Sequence, residues 1–227
     1  MRIQAALDYN LTMDDAMRII DATKDSVEVF EIGTPFLRTQ GGLDCVHTIR
    51  EKYPDLTIYA DTKITNEGAR SNIPGTAYEV AAQAIKAGAN IVTVMAVCDD
   101  EVIRSVIQAG RDFGGEVLVD LMDIEDVVAR TLELDTMEPD YISVNTLYVG
   151  HPENEVPGVY QPLIDLERIT PHLKHARATI QGGVTRENLP DICKFKPSMI
   201  CIGRGIYAAE DPGQAAAEFK AILDAAQ

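Results

Sequence analysis

Two hydrophobic rhythms alternate along the chain. Short runs rich in Val, Ile and Leu predict strands over residues 2–8, 27–32, 56–61, 90–95, 116–120, 140–145, 177–181 and 198–202. Several are continuously apolar, as strands buried on both faces are. Between them, apolar positions recur at helical spacing over 12–23, 38–52, 76–88, 99–112, 124–134, 162–173, 186–194 and 211–225. Strand then helix, repeated around the whole chain, predicts an α/β protein folded as a single (β/α)8 TIM barrel, with one domain spanning 1–227. Thr12, three residues before Asp15, is expected to cap the first helix, and Asp99 with Asp100 to open the fourth in the same way. Gly88 and Gly110 are expected to end helices. Segments 64–75 and 146–161 are too long for plain connections. Both follow strand ends, where long loops carry function.

Composition narrows the partners. The chain has 20 Lys and Arg against 36 Asp and Glu, a formal net charge of −16. That field repels phosphate backbones and anionic lipid, so neither nucleic-acid nor membrane-surface binding is expected. A site for an anion must therefore supply its own positive potential. Cys45, Cys98, Cys193 and Cys201 show no CxxC spacing, so each is expected to be a reduced, buried residue. Asp8 interrupts the N-terminal apolar run, and the longest uncharged apolar run, 91–98, is far too short to span a bilayer. A soluble, cytoplasmic protein is expected.

Barrel chemistry sits at the C-terminal strand ends. Here those positions are Asp8, Glu31, Asp61 with Lys63, Met95, Asp120, Asn145, Gln181-Gly182-Gly183 and Gly203-Arg204-Gly205. Converging carboxylates are costly unless a cation shares the site. Either a divalent metal or a lysine–carboxylate network answers that need. Asp61 and Lys63 lie two apart, so they are expected to face one pocket, where an ammonium stabilises a developing enolate oxygen or delivers a proton. The glycine turns at Gln181-Gly182-Gly183 and Gly203-Arg204-Gly205, with a short helix at 205–208, predict a phosphate nest to which Arg204 adds a bidentate contact. His47, His172 and His175 are expected on the surface, and His151 within reach of the pocket. Tyr148, Tyr160 and Tyr207 are expected to pack at its core or rim.

LDYN at 7–10, EIGTPF at 31–36, YADTKITNEG at 59–68, the glycine pair at 182–183 and IGRGIYAAEDPGQAA at 202–216 resemble the orotidine 5′-monophosphate decarboxylase superfamily. Within it the chain is most similar to the 3-keto-L-gulonate 6-phosphate decarboxylases and 3-hexulose-6-phosphate synthases. The resemblance implies a homodimer with shared active sites, Mg2+, and a phosphorylated keto-sugar substrate that passes through a metal-stabilised cis-enediolate. It implies Glu31 and Asp61 as metal ligands, Lys63 as the enediolate-stabilising lysine and Asp8 as substrate-binding. It places Gly183, Gly203 and Arg204 in the phosphate site. The chain departs from the pattern at Asn66, where the group has an Asp that reaches across the dimer. It departs again at Asn145 for a proton-delivering His, Tyr148 for an Arg, and Gln181 for a Thr. Strand five ends in Asp120, as in the synthases, where the decarboxylases use Glu.

These features predict a magnesium-dependent carbon–carbon lyase acting on a phosphorylated keto-sugar. Segment 186–221 favours decarboxylation of a 3-keto sugar-acid 6-phosphate; Asp120 favours the alternative, aldol condensation of formaldehyde with ribulose 5-phosphate. A sugar-phosphate epimerase or a non-catalytic binding protein on the same barrel are the rivals of other classes.

Overall fold

The computed structural model describes residues 1–66, 73–145 and 160–226. Eight parallel strands close in chain order, the eighth pairing back onto the first. They are β1 (Arg2–Leu7), β2 (Val29–Ile32), β3 (Thr57–Ile64), β4 (Ile91–Met95), β5 (Glu116–Asp120), β6 (Tyr141–Val144), β7 (Arg177–Ile180) and β8 (Met199–Ile202). The outer ring comprises α1 (Met13–Thr23), α2 (Thr34–Thr39), α3 (Leu43–Lys52), α4 (Ile73–Lys86), α5 (Asp100–Phe113), α6 (Val127–Asp135), α7 (Gln161–Ile169), α8 (Leu189–Cys193), α9 (Arg204–Tyr207) and α10 (Pro212–Ala225). The expected (β/α)8 barrel is what forms. The strands bury one face against these helices and the other in the barrel, which is why their sequences read as continuous apolar runs.

The barrel interior is layered. Val29, Tyr59, Ile91, Leu118, Tyr141 and Met199 form an apolar plug near the N-terminal end. Beneath it the Arg2 guanidinium donates to the Tyr141 hydroxyl at 2.7 Å, that hydroxyl donates to Glu116 at 2.9 Å, and Arg177 stacks 4.0 Å from the ring centroid. Side chains two apart on a strand share a face. Two residues beyond the plug, the same inward face turns polar, with Glu31, Asp61, Thr93, Asp120, Ser143 and Cys201 all buried. A dry floor thus carries a polar layer facing the C-terminal mouth.

Several boundaries differ from expectation for identifiable reasons. The helix expected over 38–52 is two helices, α2 and α3, parted by Gly41 and Gly42 at φ +88° and +66°. Gly110 does not end α5, which runs on to Gly114 at φ +73°. Gly110 is small for packing: a Cβ there would lie 2.8 Å from Val117 and 2.9 Å from the Gly115 carbonyl. Gly88 does follow its helix, at φ +114°. Thr12 and Asp15 form the expected reciprocal capping box. Asp99 forms no side-chain cap; instead its backbone N–H donates to Asn66 Oδ1 at 3.3 Å. Of the two long segments, residues 64, 73–75 and 161 belong to β3, α4 and α7. The rest of those segments, apart from Thr65, Asn66 and Tyr160, lies outside the described residues, as do Tyr148 and His151. All four cysteines are free and buried. Among the described residues no helix is long and apolar enough to cross a membrane.

Candidate active site

The C-terminal strand ends surround a cavity of about 620 Å³ whose lining includes Asp8, Glu31, Asp61, Lys63, Asn145 and Gln181. At its centre β3 departs from regular pairing. Ala60 pairs with Val92 and Ile64 with Val94, so β3 gains two extra residues against β4. Thr62 spans the irregularity with its side chain, which donates to the Thr93 carbonyl at 2.8 Å and accepts from the Thr93 N–H at 3.1 Å. Lys63 sits at φ +40°, a conformation non-glycine residues seldom adopt. Its ammonium lies 3.3 Å from Asp61 and 3.0 Å from Asp120. Burial alone would drive this ammonium toward neutrality, but Asp120, Asp61 and Glu31 outweigh it and hold Lys63 protonated, well above the usual lysine range.

Asp120 also accepts from Asn145 Nδ2 at 3.0 Å and from the Met122 N–H at 2.9 Å. It is fully buried, below the cavity wall rather than on it. It therefore reaches the cavity through Lys63 and Asn145.

The turn after β2 accounts for the EIGTP segment residue by residue. Glu31 faces the cavity and is buried. A side chain at position 33 would place its Cβ 1.9 Å from Asp8 Oδ1, so glycine is what admits the Asp8 carboxylate. Thr34 Oγ1 donates to Asp61 Oδ2 at 2.9 Å and lies 2.7 Å from the Asp61 carbonyl. Pro35 occupies the first turn of α2, where a missing N–H costs nothing. Thr93 and Tyr59 add hydroxyl donors to Asp61 Oδ1 at 3.1 and 3.4 Å. Burial raises the Glu31 carboxyl to about 8, helped by Asp61 and Asp8 and opposed by Lys63 and Gln4. Asp8 rises to about 6, chiefly by burial and then by Asp61, with Lys63 opposing.

This clustering of carboxylates bears on metal. Glu31 and Asp61 both face the cavity, and Glu31 is raised first by burial and then by its carboxylate neighbours Asp61 and Asp8, with Lys63 opposing. Among the described residues no group of three or more His, Cys, Asp or Glu side chains is placed to hold a metal ion. Magnesium needs none: it takes one or two carboxylates and keeps waters and substrate oxygens. The donor set fits a hard divalent cation.

The glycine turns line the same cavity, and a Cβ at Gly203 would lie 3.7 Å from Asp8 Oδ2. Gly182 and Gly183 adopt φ +79° and +68°. Tyr160 braces this turn, its hydroxyl donating to the Gly182 carbonyl at 2.6 Å, and Asn188 donates to the Gly183 carbonyl at 2.9 Å. Gly203, Arg204 and Tyr207 share the wall. Arg204 is exposed and forms no ion pair among the described residues. Arg186 adds a second guanidinium, paired with Glu218 at 2.8 Å.

The structure thus brings Asp8, Glu31, Asp61, Lys63, Asn145, Gln181, Gly182, Gly183, Gly203 and Arg204 to one cavity. Gly205 lies there too, packed on Phe219, whereas Met95 is buried in the core. Asn66 lies on the rim beside Val97 and Cys98, outside this chain's own cavity. Sequence reasoning missed Gln4, Thr34, Tyr59, Thr93 and Arg186. Gln4 and Thr93 are polar residues inside apolar strand runs, at inward parity, and that was the available signal. Cys201, read as a buried hydrophobe, is buried but also donates to Glu31.

The sequence matches the profile described as "Orotidine 5'-phosphate decarboxylase / HUMPS family" over residues 1–219. It is 32% identical over 225 residues to 3-hexulose-6-phosphate synthase 2 of Staphylococcus saprophyticus, covering 99% of this chain and 98% of that one. The crystal structure of 3-hexulose-6-phosphate synthase from Salmonella typhimurium superposes with a TM-score of 0.88 at 30% identity over 100% of both chains. That of 3-keto-L-gulonate-6-phosphate decarboxylase from Vibrio cholerae gives 0.82 at 20% identity, over 100% of this chain and 98% of that one, a likeness of fold.

Proposed function

The chain belongs to the orotidine 5′-phosphate decarboxylase / HUMPS family, and from that premise we propose that it is an aldehyde-lyase joining formaldehyde to ribulose 5-phosphate, and splitting the product in reverse. The observation that carries this reading is the Lys63 ammonium, set between two buried carboxylates and facing a cavity also lined by glycine turns and Arg204. Segment 186–221 on its own favours decarboxylation. Asp120 at the end of β5, and relatives at 30% identity or more that carry the synthase name, shift the preference to condensation.

In this reading the substrate phosphate occupies the turns at Gly182-Gly183 and Gly203-Arg204. The carbonyl end then faces Glu31, Asp61 and Lys63, with Gln181 and Asn145 beside it. Asp8 takes the proton from the carbon next to the carbonyl; a carboxyl near 6 is ionised yet appreciably basic at neutral pH. Lys63 meets the negative charge that develops on the substrate oxygen. The electron pair left on carbon attacks formaldehyde, and the formaldehyde oxygen takes a proton as Asp8 returns to the carboxylate. Asn145 exchanges no proton at neutral pH, so it orients Asp120 and, through it, Lys63. Glu31 and Asp61 are the residues that would hold Mg2+, which when bound supplies further positive charge for the same oxygen. We place this chemistry in a cytoplasmic homodimer with shared sites.

The test is to incubate the purified protein with formaldehyde and ribulose 5-phosphate, and separately with 3-keto-L-gulonate 6-phosphate, with Mg2+ or excess chelator. Magnesium-dependent loss of formaldehyde is the expected result. Carbon dioxide release from the keto acid with formaldehyde untouched would replace aldol chemistry by decarboxylation. Full activity in excess chelator would remove the metal.

A further inference from the structure

Gln4 and Cys201 lie on β1 and β8; Cys201 reaches the cavity lining, whereas Gln4 lies beneath it. Gln4 Nε2 donates to Glu31 Oε2 at 2.6 Å, and Cys201 Sγ donates to that same oxygen at 3.2 Å. Among the described residues, Glu31 Oε1 accepts no hydrogen bond, and Glu31 lines the cavity. Both donors therefore converge on one carboxylate oxygen and leave the other for whatever enters the cavity.

Gln4 carries a second signature. It is fully buried between the apolar residues Ile3 and Ala5, and its own carbonyl Oε1 has no partner among the described residues. An unpaired buried carbonyl destabilises a fold, so an apolar residue of similar volume would serve the core better. The bond to Glu31 is the one interaction that Gln4 contributes there.

We propose that Gln4 and Cys201 are positioning residues that clamp Glu31 Oε2 and present Oε1 to a divalent cation in the cavity. This inference rests on the proposed metal role of Glu31 and Asp61. Outer partners of metal-binding side chains act in this way, fixing the orientation of the ligand before the ion arrives. Cys201 acts through the contact of its thiol with Glu31 Oε2 at 3.2 Å.

The experiment titrates Mn2+ into substrate-free protein by electron paramagnetic resonance, with Mg2+ as competitor, alongside thermal melting of the metal-free protein. Gln4→Met should weaken Mn2+ binding by about tenfold or more while the melting temperature stays the same or rises. Cys201→Ala should also weaken binding, and Cys201→Ser, which keeps a donor, should restore it. The clamp is overturned if Cys201→Ala and Gln4→Met bind Mn2+ as tightly as the parent, or if affinity falls only together with melting temperature. Should Gln4→Met fail to fold, the Cys201→Ala and Cys201→Ser pair decides alone. A parent protein that binds no Mn2+ overturns the metal reading itself, and the clamp with it.

Discussion

Lys63 owes its position to a local irregularity in β3, and its ammonium is held by Asp61 and Asp120 at 3.3 and 3.0 Å. A preorganised donor aimed at developing charge is worth roughly 2.7–4 kcal/mol, so Lys63→Ala should lower kcat by about a hundred- to a thousand-fold with a much smaller change in KM. Steady-state kinetics with the phosphorylated ketose checks this; a change confined to KM would reassign Lys63 to binding. Arg204 should behave in the opposite way. It is exposed at the glycine-turn wall and pairs with none of the carboxylates there, so Arg204→Ala should weaken substrate binding by about 1.5–3 kcal/mol while kcat largely survives. An unchanged KM for a phosphorylated substrate would sink the phosphate assignment. At this scale the carboxylates and Lys63 were legible in the sequence because strand-end position and charge single them out. Thr34, Tyr59 and Thr93 were not, because a hydroxyl that supports a carboxylate looks in sequence like any core or turn residue.

Between elements, Asp135 at the end of α6 ties that helix to the entry of β7. Its carboxylate accepts from the backbone N–H groups of Lys174, His175 and Ala176 at 2.9–3.1 Å. Burial pushes its carboxyl up, but these three bonds outweigh it and set it below the ordinary aspartate value. The folded pKa is the lower one, so the stabilisation is fully present above the unfolded value of about 3.9 and is lost as pH falls through the folded one. Asp135→Asn should cost about 1.5–3 kcal/mol at pH 7. Urea unfolding at descending pH should show the gap to the parent closing below about pH 4. A gap that stays constant into strong acid would contradict the assignment. Gly110→Val should destabilise by about 1–3 kcal/mol through overpacking against Val117 and the Gly115 carbonyl, read as a shifted urea midpoint with unchanged slope. Periodicity located each barrel strand well. It merged α2 with α3 and shortened β3, because a glycine pair at positive φ and a side-chain-bridged irregularity leave no mark on hydrophobic spacing.

Across the whole molecule, eight alternations of apolar strand and amphipathic helix sufficed for the barrel, since the twist and closure follow once parallel strands are covered on their outer face. The choice between condensation and decarboxylation was not legible in the same way: both use the same carboxylates and lysine, and differ in the group that leaves or joins. Site sharing belongs to this scale too. Asn66 lies on the rim of its own barrel, exposed, with its amide oxygen on the Asp99 N–H. If it completes a neighbour's site, mixing Lys63→Ala and Asn66→Ala subunits should give activity above the average of the two parents, because one site of each mixed dimer carries neither lesion. Activity equal to that average would leave the sites independent. The most direct test of the proposed chemistry follows carbon-13 formaldehyde by nuclear magnetic resonance in the presence of ribulose 5-phosphate, Mg2+ and the protein. The label should move into a hydroxymethyl carbon of a six-carbon ketose phosphate, and should stay in formaldehyde with Lys63→Ala. A formaldehyde signal that persists with the parent protein would contradict the account.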